Sequence, residues 1–213
     1  MKTNHGAPIN GYSGLYSHVG NDKLGKGVSV INREAGETCP GKSKFCIACY
    51  AMKGMFKMYN IQAKYAAGII QVPKKLRPLC RIHASGDFDT VEYIRDVVKW
   101  VEDNPDTTFW AYTRSWNVSR LVADLEILRA LPNVQLFASV DSTMPNAPIG
   151  WRVAYISGDT RYKGMVCLVQ QHTAECLPDC KGGKTHVGKK PDCKACGYCF
   201  RPGKTGNVEF NTH

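Results

Sequence analysis

No apolar run in this chain approaches the roughly 20 residues needed to cross a bilayer as a helix, so a helical membrane protein is excluded. The first twenty residues, MKTNHGAPINGYSGLYSHVG, carry no apolar stretch of the secretory-signal kind, which points to a cytoplasmic protein. A His-Glu-x-x-His pair is missing and no catalytic glutamate stands out, which leaves zinc hydrolysis without a motif. Acidic residues are in short supply: 18 Asp and Glu face 28 Lys and Arg, a formal net charge of +10. That imbalance favours an acidic partner such as nucleic acid and says nothing of fold. Charged residues make up 22% and hydrophobic ones 43%, a balance that builds a packed core rather than a disordered chain. At 213 residues, one compact domain with a small appended module is expected.

Cysteine is abundant instead, with ten residues. Without a signal segment, so many thiols point to a reducing compartment, where they hold metal more often than they form disulfides. Two clusters stand out. The first is Cys39-x6-Cys46-x2-Cys49. Three thiolates on a 4Fe-4S cluster leave one iron open to water or substrate, and zinc completed by a histidine such as His83 is the alternative. The second is Cys193-x2-Cys196-x2-Cys199, with Cys180 or Cys176 as a fourth ligand. Its spacing is closer to iron–sulfur ferredoxins than to a zinc ribbon, so a second 4Fe-4S cluster is expected, with zinc as the alternative. Cys80 and Cys167 lie in strand patterns and read as small buried hydrophobes.

The chain divides into three parts. Residues 1–27 lack periodicity and read as an irregular arm. Residues 28–170 alternate strand and helix. Strands are expected at 28–31, 81–84, 108–113, 134–140, 153–157 and 165–169, and helices at 57–70, 89–102 and 118–131. Asp89 and Glu92 have capping-box spacing. This period builds parallel sheets with right-handed crossovers, so the fold class is α/β, a partial (β/α) barrel with parallel strands. Residues 171–213 lose apolar periodicity and read as a basic, Cys-rich segment closing a metal site. The expected strand ends carry Ser85-Gly86-Asp87, Thr113-Arg114-Ser115, Val140-Asp141-Ser142 and Ser157-Gly158-Asp159. In parallel α/β folds such polar ends form the ligand site.

Several boxes together resemble the phage gene product 88 family. They are Cys39-Pro-Gly, Cys46, Cys49-Tyr50-Ala51, residues 81–88, Tyr112-Thr113-Arg114-Ser115-Trp116 and the terminal Cys193-x2-Cys196-Gly197-x-Cys199-Phe200. That family in turn looks like a shortened radical S-adenosylmethionine enzyme, a partial barrel with a three-Cys loop after its first strand. The spacing here departs from the usual Cys-x3-Cys-x2-Cys, Ala48 replaces the usual aromatic residue, and no Gly-Gly-Glu is present. The resemblance implies a host cytoplasmic protein whose open iron binds S-adenosylmethionine and cleaves it after one-electron reduction by an electron donor. Asp87, Arg114 and His83 are the expected catalytic residues. Ser85, Gly86, Asp87, Thr113, Ser139 and Asp141 are expected to bind the cofactor. The C-terminal cluster would relay electrons or anchor the unknown substrate.

Lys184, Lys189, Lys190, Lys194, Arg201 and Lys204 form a basic run that could contact phosphates. Trp116 and Trp151, near strand ends, are expected to line a site. The competing function is a non-catalytic metalloprotein with a sensing, electron-transfer or nucleic-acid-binding role.

Overall fold

The computed structural model describes residues 15–19, 23–54, 57, 76–171 and 191–211. The helix expected over 57–70 lies outside them apart from Lys57, and so do Cys176, Cys180, Lys184, Lys189 and Lys190.

Among the described residues eight strands form one sheet: β1 (Leu15–Val19), β2 (Val28–Arg33), β3 (Leu79–Ile82), β4 (Thr108–Thr113), β5 (Val134–Val140), β6 (Arg152–Ile156), β7 (Gly164–Val166) and β8 (Asn207–Phe210). The order is β1-β2-β3-β4-β5-β6-β8-β7. β1 runs antiparallel to β2, and the other seven strands are mutually parallel, as a partial barrel requires. Leu15–Val19 is thus a paired strand within the stretch read as an irregular arm. β8, in the Cys-rich C-terminal segment, inserts between β6 and β7, with Val208 fully buried. The strand expected over 165–169 is shorter, ending at Val166, and gives way to the helical turn α3.

Among the described residues four helices accompany the sheet: α1 (Val91–Glu102), α2 (Ser119–Ala130), α3 (Leu168–Gln171) and α4 (Cys193–Cys196). α1 starts at Thr90, whose hydroxyl accepts from the Tyr93 N–H at 3.2 Å. The expected cap, Asp89, instead pairs with the buried Arg33. α1 and α2 cover one face of the sheet. Ile94, Val97 and Val101 of α1 and Leu121, Leu125 and Leu128 of α2 meet Ile82, Phe109, Ala111, Leu136 and Val153 in one buried cluster. Each of the Val, Leu, Ile and Phe side chains stabilises the fold by about 1.5–3 kcal/mol through burial.

Strand residues alternate in direction, so the opposite face holds a different set. Val28, Val30 and Trp110 pack there with Leu24 and Phe200. Phe137, Ala154 and Val208 form a second small cluster with Cys167. These clusters leave space above them at the carboxyl ends of the strands. Trp116 and Trp151 belong to the helix-side core, so the expectation that they line a site is corrected. Cys80 and Cys167 are buried, as their strand patterns imply. Among the described residues, no helix is long and apolar enough to cross a membrane.

Candidate functional site

A cavity of about 690 Å³ opens on the face away from α1 and α2. Its volume falls in the range of small-molecule sites, and its place at the carboxyl ends of parallel strands is where such folds bind ligands. Its floor includes Arg81 of β3, Tyr112 of β4, Ser139 of β5, Ile156 of β6 and Val208 of β8. Its wall includes the turn after β3, with His83, Ser85, Gly86 and Asp87. The loop after β2 closes one side with Cys39, Cys46 and Cys49, and the C-terminal segment closes another with Cys193, Cys196 and Cys199.

The loop after β2 is tied down at several points. Tyr50 donates its hydroxyl to the Ala84 carbonyl, and Ser43 donates to Asp141. Arg114 donates to Ser43 at 2.6 Å and forms an ion pair with Asp141. Gly41 lies so close to the Arg114 carbonyl that a Cβ there would come within 2.0 Å of the oxygen. Any larger residue would push the loop off the strand end.

Asp87 is buried in the cavity wall. Its Oδ1 accepts from the Thr113 hydroxyl at 2.5 Å and the Phe88 N–H at 2.8 Å, and its Oδ2 accepts from the Arg114 N–H at 2.8 Å. Burial pushes the carboxyl up to about 6, and these hydrogen bonds pull back only part of the way. Asp141 shows the opposite balance. Burial alone would raise it, but donors from Arg114, Ser43 and Thr143 prevail and hold it at about 2. Asp141 and Thr113 serve the site from behind: they position Arg114 and Asp87 and are not part of the cavity lining.

His83 is buried with a left-handed backbone, φ 56°. Its Nε2 meets the Tyr93 hydroxyl at 2.8 Å, and its ring packs edge-on against Phe88. Burial, with Arg33 and Arg81 nearby, drives its pKa well below the usual value, so the imidazole is neutral. Ser85 spends its hydroxyl on the Arg33 carbonyl at 3.0 Å. Gly86 has φ 77° and no room for a Cβ, which would meet Arg33 at 2.6 Å and Thr38 at 2.7 Å. Ser139 lines the cavity while its carbonyl accepts from the Trp116 indole at 3.0 Å.

The expected metal chemistry is not met. Among the described residues, no group of three or more His, Cys, Asp or Glu side chains is gathered to hold a metal ion. The 4Fe-4S and zinc assignments to Cys39, Cys46, Cys49, Cys193, Cys196 and Cys199 are therefore corrected. With them go the iron–sulfur function, its radical S-adenosylmethionine mechanism and the metal-binding C-terminal segment of the fold description. The reason lies in the packing. Cys193 and Cys199 lie against the apolar clusters of the sheet, and the Cys199 thiol meets the Tyr112 hydroxyl. Burial pushes Cys39 and Cys193 up to about 12 and Cys199 to about 11, so these sulfurs are neutral thiols. The described residues do not fit a cluster.

Sequence reasoning missed Arg81 as a site residue. Its guanidinium carbon lies 4.3 Å from the centre of the Tyr112 ring, and its Nε donates to the His83 carbonyl at 3.3 Å. The sequence offers no signal that sets Arg81 apart, because the topology decides which side of β3 faces the cavity.

The family profile described as gene product 88 matches residues 67–202, more than half of the chain. The Gene 88 protein of Mycobacterium phage L5 is 30% identical over 149 residues, which cover 65% of this chain and 56% of that relative. The chain thus spans little more than half the length of this curated relative. These matches support the expected phage type. No solved structure matches.

Proposed function

The chain belongs to the gene product 88 family, and we propose that it binds a small molecule in the cavity at the strand ends and exchanges a proton with it through Asp87. The carrying observation is the state of that carboxyl. It is buried in the cavity wall, and its pKa is raised to about 6, close to neutrality. Its neighbours are poorly suited to proton exchange, since the thiols of Cys39, Cys193 and Cys199 stay protonated, Asp141 stays ionised and His83 stays neutral. A group poised near the working pH is what general acid–base chemistry needs. Arg114 supports the role by fixing Asp87 through its backbone N–H while its side chain locks the loop after β2 through Ser43. Thr113 orients the same carboxyl from beneath.

The test is calorimetric titration of the full chain with 2-naphthol, a flat molecule whose hydroxyl bonds better to a carboxylate than to a carboxylic acid. Binding should tighten as pH rises through about 6. Near that pH, titrations in buffers of different ionisation heat should show a fraction of a proton released. Asp87→Asn should bind with neither the pH dependence nor the proton. Absence of binding by the unaltered chain defeats the cavity reading, and pH-independent binding defeats the role of Asp87.

A further inference from the structure

Arg81 is a cation on the cavity floor without a counter-charge among the described residues. Among the described residues no carboxylate lies within ion-pair distance of it, and the one hydrogen bond of its guanidinium goes from Nε to the His83 carbonyl. Its terminal nitrogens have no hydrogen-bond partner among the described residues. The Tyr112 ring below offsets part of the cost of holding a charge there, but a ring is no substitute for an anion. The thiols of Cys193 and Cys199 face the same charge and are protonated, so they do not neutralise it. Lys23, at the cavity edge, adds a second positive group, whose pKa is lowered by burial and by Arg81. Arg114, at the same cavity, shows the contrast: its charge is met by Asp141.

We infer that Arg81 seats the anionic group of the cavity's ligand, and that this ligand is a carboxylate or phosphate carried on a flat apolar body. The planar fork of a guanidinium pairs with either oxyanion through two parallel hydrogen bonds. The flat body follows from the lining, where the rings of Tyr50, Tyr112, Phe200 and Phe210 supply apolar surface and Tyr112 lies against the guanidinium. The inference rests on the cavity reading above and adds the chemical class of what enters it.

The test compares 2-naphthol with 2-naphthoate and 2-naphthyl phosphate, titrated calorimetrically into the full chain at pH 7.5. The better of the two anions should bind at least tenfold more tightly than the neutral probe, and which anion leads identifies the head group. Arg81→Met should erase that advantage, so that the variant binds the anions no more tightly than it binds 2-naphthol. Arg81→Lys should keep part of it, since the charge remains and the fork is lost. Added salt should weaken the anions and leave 2-naphthol unchanged, a readout that needs no variant. An unaltered chain that binds all three probes equally, or an anion advantage that survives Arg81→Met, overturns the inference and leaves the cavity reading standing. Failure of every probe, 2-naphthol included, overturns both.

Discussion

The two faces of the sheet are made by the same strands and differ in almost every residue. Toward α1 and α2, strands β3 to β5 present Cys80, Ile82, Phe109, Ala111, Leu136 and Ala138, all buried and apolar. One step along each strand, the other face presents Arg81, Tyr112 and Ser139 to the cavity. Register carries the contrast across the sheet: Ile82 pairs with Ala111, and Arg81 with Trp110. Side chains that alternate every residue let one strand serve packing and chemistry at once. The helix face is where free energy of folding is gained. The cavity face holds groups that are costly to keep there, a cation without a counter-charge among the described residues and a carboxyl raised to about 6. Such local cost without local benefit is expected where a ligand supplies the missing partner.

The largest effect should come from breaking the helix face. Leu125 is fully buried between α2 and the sheet, and Leu125→Ala should lower the unfolding free energy in urea by about 2–5 kcal/mol. Arg81→Met, on the other face, removes a charge with no ion-pair partner among the described residues and should move stability by less than about 1 kcal/mol. Equal losses for the two variants would erase the distinction between the faces.

The next effect belongs to the cavity face and depends on pH. Asp87 has a folded-state pKa of about 6 against a usual value of 3.8. The folded protein therefore holds that proton more tightly than the unfolded chain does. The stability this contributes is fully present below about pH 4 and is lost as pH rises through about 6. The loss over that window should be about 2–3 kcal/mol. It should appear as the difference between the unaltered chain and Asp87→Asn in urea unfolding at pH 4, 5, 6 and 7. A difference that stays constant with pH would show that Asp87 titrates as an ordinary carboxyl.

The same two faces explain what could be read from the residues in order. The strands at 108–113 and 134–140 and the two long helices show strong periodicity and form where expected. β8 escaped notice because its four residues follow a Gly-, Pro- and Lys-rich stretch and offer too short a pattern. Asp87 was legible as a polar strand end. Arg81 was not, because only the topology reveals that its side of β3 faces an enclosed space. The cysteine spacing was the most conspicuous signal and misled most. Spacing places thiols near one another along the chain, but packing decides where each sulfur points. Here Cys193 and Cys199 are drawn onto the sheet's apolar clusters.

The smallest effect tests the edge of the helix face, at the start of α1. Asp89 and Thr90 are neighbours of similar capping ability, and the structure gives them different work. Thr90 accepts the Tyr93 N–H, while Asp89 neutralises Arg33, whose guanidinium also lies 4.2 Å from the Tyr93 ring centre. Tyr93 in turn holds His83 beside the cavity, so the cap borders both faces. Thr90→Ala removes only the acceptor and should cost about 1 kcal/mol. Hydrogen exchange at the Tyr93 amide should speed up in that variant while amides in the middle of α1 keep their protection. Binding of 2-naphthoate should be unchanged, because the hydroxyl lost caps the helix and is not part of the cavity lining. A Tyr93 amide as protected as before would mean that the carboxylate of Asp89 takes over the cap and leaves Arg33. A weakened affinity would mean that the packing of α1 reaches through Tyr93 and His83 to the ligand, and that the two faces are energetically one.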